Sequence, residues 1–473
     1  MAPRLALALL FGGLLATRLC HAGIVWVEEA YPTAAAIQML DGKVLYRDVW
    51  FDKPPLFPAL YVLWDARTGV PLRIAGAVYI FLACLAAWRF ASELWGPREG
   101  IAAACFLGFF LTFGIPSAVM ALAPDLLMIL PHLAAVYLAW KSRPFLSGVA
   151  AGVALLLNSK GVFVLAACAI WQWRALPLLA AGFVAPNAIA VVALWFASAL
   201  PAYWQQVWVW GWLYSKSTFL EQPFRAGLLR TLDWAGFQAA LVLGAAWFWW
   251  RDRSASRWRF ALWAAVAFAG VIAGWRFFPR YYFLLLPPMA IAAARGYTLL
   301  GARRVILLIA LLVPLLRFGP RFAALARDLA TGRETRWPDL AMSEDSRRAA
   351  RIVESMARPG DTLLVWGYRP DVFADTRLPA GTRFLDSQPL TGVLADRHLT
   401  RSDVIAPELA ARNRLELTHT APTFIVDGLG PYNPRLVITA YPNLAAWLAQ
   451  YDLAARTQHS VIFRRRASFA PAH

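Results

Sequence analysis

Leu176-Pro-Leu-Leu-Ala-Ala-Gly-Phe-Val-Ala-Pro-Asn-Ala-Ile-Ala-Val-Val-Ala-Leu-Trp-Phe-Ala-Ser-Ala199 contains no charged side chain. As a helix rising about 1.5 Å per residue, this run is long enough to cross the roughly 30 Å hydrocarbon core of a bilayer. Comparable apolar segments lie at 5–22, 72–92, 100–118, 121–140, 145–158, 161–172, 232–250, 260–274, 281–299 and 304–316, which gives about 11 spans. Several fall short of the ~20 residues of a straight span. The two that meet at Asn158–Lys160 read as one broken helix or as two short ones.

Composition points the same way. Hydrophobic residues make up 60% of the 473-residue chain and charged residues 16%, against roughly 45–50% and ~25% in soluble domains. So little charge cannot cover a surface in water, which excludes a soluble cytosolic enzyme, a disordered chain and a disulfide-stapled module. The chain reads as an α-helical polytopic membrane protein.

The net charge of +18 does not signal nucleic acid, because the cations sit at the ends of apolar runs and in the C-terminal third, and no nucleic-acid module is present. Membrane lipids are the partners this pattern implies. Lys141 and Arg143, then Arg174, then Arg251, Arg253, Arg257 and Arg259, then Arg303 and Arg304 occupy every second connection. Short loops rich in Lys and Arg stay in the cytoplasm. Residues 23–71, 119–122, 159–161, 200–231, 275–280 and the C-terminal region therefore fall on the outer side. The N-terminus, from Met1–Arg4 to Cys20-His21-Ala22, reads as a cleaved signal or as a retained first span; both send residues 23–71 outward. Cys20, Cys84, Cys105 and Cys168 form no CxxC pair, so neither a metal site nor a disulfide framework is indicated.

The chain divides at 316/317 into a membrane part, 1–316, and a more polar part, 317–473. In the latter a helix from Ser343 to Met356 presents Ala349, Ile352, Val353 and Met356 on one face. Asp361–Trp366, Thr423–Asp427 and Ser460–Arg464 read as short strands, giving a small α/β domain.

The most informative connection is the first outer loop, 23–71, with Glu28-Glu29, Gly42, Tyr46-Arg47-Asp48 and Asp52-Lys53-Pro54-Pro55-Leu56. Such a cluster at a membrane boundary reads either as an interfacial helix with solvated acids ending at the Pro-Pro break, or as a reactive site.

This loop resembles that of the GT-C glycosyltransferases of glycosyltransferase family 39, the protein O-mannosyltransferase and aminoarabinose-transferase type. Their first exoplasmic loop carries an Asp-Glu pair, a Gly…Tyr-Arg-Asp segment and a Lys-Pro-Pro-Leu motif; here Glu28 stands in place of the Asp. The resemblance continues through Asp125 in Ala-Pro-Asp-Leu-Leu, Leu157-Asn-Ser-Lys160-Gly161, Phe278-Pro-Arg280-Tyr281-Tyr282, Val365-Trp366-Gly367-Tyr368 and Thr382-Arg383-Phe384. It covers most of the chain in order, although each motif is short.

The resemblance implies a GT-C-like membrane domain with a C-terminal extracytoplasmic α/β domain, in a bacterial inner (plasma) membrane. The implied reaction is transfer of a sugar from a polyprenyl-phosphate carrier to a hydroxyl of an envelope glycan, lipid or protein, with inversion at the anomeric carbon. The lipid phosphate is then the leaving group, and its growing charge calls for fixed cations: Lys53, Arg280, Arg47 and Lys160. The acceptor hydroxyl calls for a carboxylate: Glu29 and Asp125, with Glu28 third. Tyr46, Asp48 and Asp52 complete the first-loop set. No cofactor is implied, and a metal requirement is left open.

Plainer roles stand beside these. Asp125 also suits a helix N-terminus, Arg280 with Tyr281 and Tyr282 suits an interfacial anchor, and Lys160 suits a solvated turn. The aromatic stretch Tyr203–Tyr214 reads as an interfacial belt ahead of a sugar platform, and His132 as a packed histidine. Two other functions compete. A transporter or lipid flippase calls for ionisable groups inside spans and repeated halves, whereas the charges here gather at outer ends. A non-catalytic scaffold with an outer partner-binding domain calls for acids that can be neutralised without effect.

Overall fold

The computed structural model describes residues 3–333, 335 and 337–466. Met1 and Ala2 of the basic start, and the last seven residues of the expected 317–473 domain, lie outside the described residues.

Three helices, Val70–Trp95, Leu176–Phe196 and Gly301–Thr331, are long and apolar enough to cross a bilayer, and shorter apolar helices span Pro124–Trp140, Pro144–Leu157 and Gly161–Gln172. Helices of this kind gain nothing from the hydrophobic effect when they associate in lipid, so small residues that let backbones approach become the packing device. Helix Pro144–Leu157 packs on Leu176–Phe196 in this way: a Cβ at Gly148 would lie 2.1 Å from the Leu179 carbonyl oxygen, and one at Gly182 2.0 Å from that of Phe145.

Several apolar segments are broken, and the breaks matter for function. The stretch 121–140 forms Pro124–Leu127 and then Ile129–Trp140, with Pro124 opening the first turn. The alternative at Asn158–Lys160 resolves into two helices, because Asn158 is extended (φ −153°, ψ 131°) and the chain turns before Gly161. The segment 281–299 begins as a 3-10 turn, Pro279–Leu284, ahead of helix Leu286–Leu299. Each break frees polar backbone and side chains at one end of the helical layer, where irregular structure is tolerated beside a cavity.

Helix Val305–Thr331 continues unbroken past Leu316. The following helix, Ala341–Met356, starts two residues ahead of Ser343, which sits inside it and donates to the Val25 carbonyl (3.3 Å) instead of capping. Strands β1 (Leu363–Trp366), β2 (Phe424–Asp427), β3 (Tyr451–Arg456) and β4 (Val461–Arg465) form one sheet in the order β1-β2-β4-β3, parallel between β1 and β2 and antiparallel elsewhere. β3, an edge strand, escapes the sequence reading because four of its six residues are polar or alanine and little of it is buried.

This small α/β unit is seated on the first outer loop. Gln38 in helix Val27–Leu40 accepts from the Ala380 N–H (2.7 Å), the Trp50 N–H donates to the Arg383 carbonyl (2.7 Å), and Lys43 donates to the Ala380 carbonyl. Helix Val27–Leu40 is therefore buried along most of its length and is no solvated interfacial helix.

Candidate active site

The loop, the helix breaks and the α/β unit enclose a cavity of about 280 Å³. Glu28 enters it from the first turn of Val27–Leu40, and Asp52 and Lys53 from the chain leading into helix Leu56–Val62. Asp125 comes from the turn opened by Pro124, Lys160 from the Asn158–Lys160 turn, and Arg280 from the 3-10 turn. The first loop and three stretches distant from it in sequence thus place three carboxylates and, with Arg276, four cations around one space.

Arg280 is the hub. Its Nη1 pairs with Glu28 Oε1, and its Nε lies 3.5 Å from Asp125 Oδ2. Asp125 also accepts from Asn158 Nδ2 (3.1 Å), and Lys160 Nζ stands 4.0 Å from its Oδ1. Asn158 Oδ1 accepts the Lys160 N–H (3.0 Å), which holds the turn that aims the lysine inward. Lys160 Nζ has no hydrogen-bond partner and lies over the Tyr281 ring. Burial lowers Lys160 to about 7; Asp125 opposes that shift and Arg280 adds to it. Lys53 donates to Asp52 (3.0 Å). Lys160, with Asp125 at 4.0 Å and no hydrogen bond among the described residues, is the least satisfied cation of the cluster, and an incoming anion would meet it beside Arg280.

Four first-loop candidates, Glu29, Tyr46, Arg47 and Asp48, do not line the cavity. Glu29, expected as a reactive carboxylate, is fully buried and held by Arg73, whose Nη1 donates to its Oε2 (3.1 Å) and whose Nη2 pairs with its Oε1. The N–H groups of Trp26 and Leu122 complete its shell at 3.3 Å each. All four acceptor directions are consumed, so no substrate hydroxyl can approach. Arg47 lies exposed on Asp48 (2.9 and 2.8 Å) and donates to the Ala197 carbonyl (3.3 Å), away from the cavity. Tyr46 is buried, and its hydroxyl donates to the Lys53 carbonyl (2.8 Å); it sets the backbone of the lysine from behind.

The cavity also contains residues the sequence reading did not single out: Tyr31, Asn158, Tyr214, Arg276, Tyr281 and Tyr368. Asn158, Tyr281 and Tyr368 lay within motifs already noted, so their neighbours carried the signal. Tyr214 ends the aromatic stretch read as a belt. Trp204 and Trp212 are exposed, as a belt requires, but Tyr214 turns inward under Arg276, whose guanidinium stacks 3.6 Å from its ring centre and pairs with Asp396. Nothing local marks Arg276, since its partners are 62 and 120 residues away. His132 is packed and accepts from Trp263 Nε1 (2.8 Å). Among the described residues no group of three or more His, Cys, Asp and Glu side chains is placed to hold a metal ion.

A layer of apolar helices with broken segments, a charged first loop and a small α/β unit seated over it make up the fold. The chain is similar over 98% of its length to ArnT from Cupriavidus metallidurans in its structure bound to undecaprenyl phosphate, with a TM-score of 0.62, 15% identity and 99% of that chain covered. The apo structure of the same ArnT gives a TM-score of 0.57 at 15% identity over 98% of this chain and 99% of that one. The Archaeoglobus fulgidus oligosaccharyltransferase in its apo form gives 0.50 at 13% identity, over 94% of this chain and 71% of that one. No family model and no curated protein sequence matches the chain. The chain thus shares the fold of these solved structures.

Proposed function

We propose that this protein is a glycosyltransferase that takes a sugar from a polyprenyl-phosphate carrier and passes it to an acceptor hydroxyl, with inversion at the anomeric carbon. One observation carries the reading: Arg280 bridges two carboxylates, Glu28 and Asp125, inside a cavity that Lys53 and Lys160 also face. Cations are what a lipid phosphate needs, carboxylates are what an acceptor hydroxyl needs, and the cavity holds both within one small volume.

In this reading the donor phosphate engages Lys53 and Arg280, the guanidinium offering two parallel N–H donors and the ammonium a point charge. The acceptor oxygen attacks the anomeric carbon from the face opposite the phosphate. The carbon–oxygen bond to phosphate breaks, and its electron pair stays on the phosphate oxygen, where the fixed cations stabilise it. The hydroxyl proton passes to Asp125 or Glu28, a contribution of typically ~10²–10⁴-fold. Lys160, lowered to about 7 by burial, is returned to its charged form by the negative charge of the entering phosphate and so adds a further cation at the same place. The alternation of cationic loops supports an outer-face position for the cavity and the α/β unit, and the family resemblance supports a bacterial inner membrane. No nucleotide sugar is at hand on that face, which suits a donor carried by lipid.

The test is mass spectrometry of envelope glycans, lipids and proteins from cells that contain the wild-type protein, the Asp125→Asn variant, or neither. A sugar attachment present only with the wild type is expected. Identical envelopes in all three overturn the proposal.

A further inference from the structure

We propose that Tyr368, carried by the C-terminal α/β unit, is a donor-binding residue whose ring packs against the sugar of the lipid-linked donor. The α/β unit then completes the reactive cavity instead of merely covering it. The inference rests on the glycosyltransferase reading above and adds the part of the donor that this unit contacts.

The argument starts with how Tyr368 is held. It follows β1 (Leu363–Trp366), every residue of which is buried. Gly367 then adopts φ +121°, a conformation that side-chain-bearing residues rarely take, and turns the chain out of the strand. On the far side Arg369, 2% exposed, is clamped by Ser346 Oγ (2.9 and 2.6 Å), Ser460 Oγ (2.9 Å), Asp345 Oδ2 (3.2 Å) and the Met342 carbonyl (2.8 Å). A strand on one side and a clamp on the other, six hydrogen bonds with the one to the His459 carbonyl (3.1 Å), leave Tyr368 little backbone freedom. A clamp of this kind is needed to aim a side chain, and is more than a surface tyrosine requires.

The ring is aimed at the cavity, which it lines with Glu28, Asp52, Lys53, Asp125 and Arg280. It is half-buried, so part of it remains open. From the membrane side Tyr31 meets it, with ring centres 5.6 Å apart and planes tilted by 55°. Tyr31 is itself fixed by stacking on Phe51 (4.6 Å, 21°) and by donating to the Trp50 carbonyl (3.4 Å). Two rigid aromatic rings from separate parts of the chain thus give an aromatic stretch of wall to the cavity that the cations also line. Phosphate belongs with the cations. The moiety joined to it, with apolar C–H faces and polar edges, fits the aromatic wall: a flat ring offers apolar area to one face at little entropic cost, and the carboxylates remain for the hydroxyls.

The experiment uses full-length protein in nanodiscs with two probes: undecaprenyl phosphate alone, and polyprenyl-phosphate sugars extracted from cell membranes, with transfer followed by mass spectrometry. Tyr368→Ala is expected to raise the KM for the sugar-bearing lipids about tenfold or more, while affinity for bare undecaprenyl phosphate and the apparent Tm stay at wild-type values. Tyr368→Phe, which keeps the ring, is expected to restore KM to within about twofold. If Tyr368→Ala weakens both probes equally, lowers the Tm, or leaves KM unchanged, the inference is wrong. If the wild-type protein transfers no sugar from any extract, the function reading fails instead.

Discussion

Glu28 and Glu29 are adjacent, yet one lines the cavity and the other is buried against Arg73, and exchanging each for glutamine tests the duties proposed for them. Successive helical residues point about 100° apart, so one faces the cavity while the other faces the protein interior. Glu29 and Arg73 are both fully buried and ion-paired. Glu29→Gln removes the negative charge but leaves the guanidinium, and it sets an amide N–H₂ against the arginine N–H groups. Breaking a buried pair from one side costs about 3–5 kcal/mol. At the ~2 °C per kcal/mol of a large domain, the apparent Tm should fall by roughly 6–10 °C. Glu28 is part-exposed to the cavity, and its partner Arg280 retains Asp125. Glu28→Gln should therefore leave the Tm within about 2 °C while transfer falls ~10²-fold or more. The assay is intrinsic tryptophan fluorescence on heating, combined with sugar transfer measured on the same preparations. A Glu29→Gln protein with unchanged Tm and no transfer would refute the assignment, as would a Glu28→Gln protein with full activity.

Two further outcomes follow from the same geometry. Lys53→Ala and Arg280→Ala should each weaken undecaprenyl phosphate binding roughly 10- to 100-fold, the worth of one hydrogen bond to a charged group, whereas Arg47→Ala, on an exposed residue paired with Asp48, should leave binding unchanged; titration by tryptophan quenching distinguishes them. Asp386 in the α/β unit is pushed up to about 7 by burial, and the nearby Asp52 adds to the rise against a hydrogen bond from the Gln388 N–H. Since its folded value lies above the usual carboxylate range, the folded state holds an extra proton, and stability is lost as pH rises toward 7. Between pH 5.5 and 7 the loss is about 2 kcal/mol, from ~1.36 kcal/mol per pH unit. Asp386→Asn should flatten that slope in thermal unfolding, and an equally steep slope in the variant would exclude Asp386 as its source.

The placement of the α/β unit bears on both results. Its backbone is bonded to the first loop through Gln38, Lys43 and Trp50, and its Asp396 pairs with the cavity residue Arg276. The α/β unit thus touches both the first loop and Arg276, and it covers the buried helix Val27–Leu40.

The amino-acid order by itself determined the membrane architecture. Apolar runs such as Leu176–Phe196 have one low-energy solution in lipid, a helix that satisfies its own backbone, and that constraint is local. The charged first loop, Asp125 and Arg280 were also legible, because ionisable groups beside apolar runs are costly and stand out. The sequence reading ranked Glu29 ahead of Glu28, whereas Glu28 is the one that lines the cavity; that depends on Arg73, which lies 44 residues from Glu29 and whose side chain neutralises Glu29 rather than Glu28. Tyr31, Arg276 and Tyr368 became site residues only through tertiary contacts between segments hundreds of residues apart. Helix formation is governed by neighbours within one turn, whereas the partner of a buried charge and the wall of a cavity are chosen by whichever distant segments the packed fold brings together.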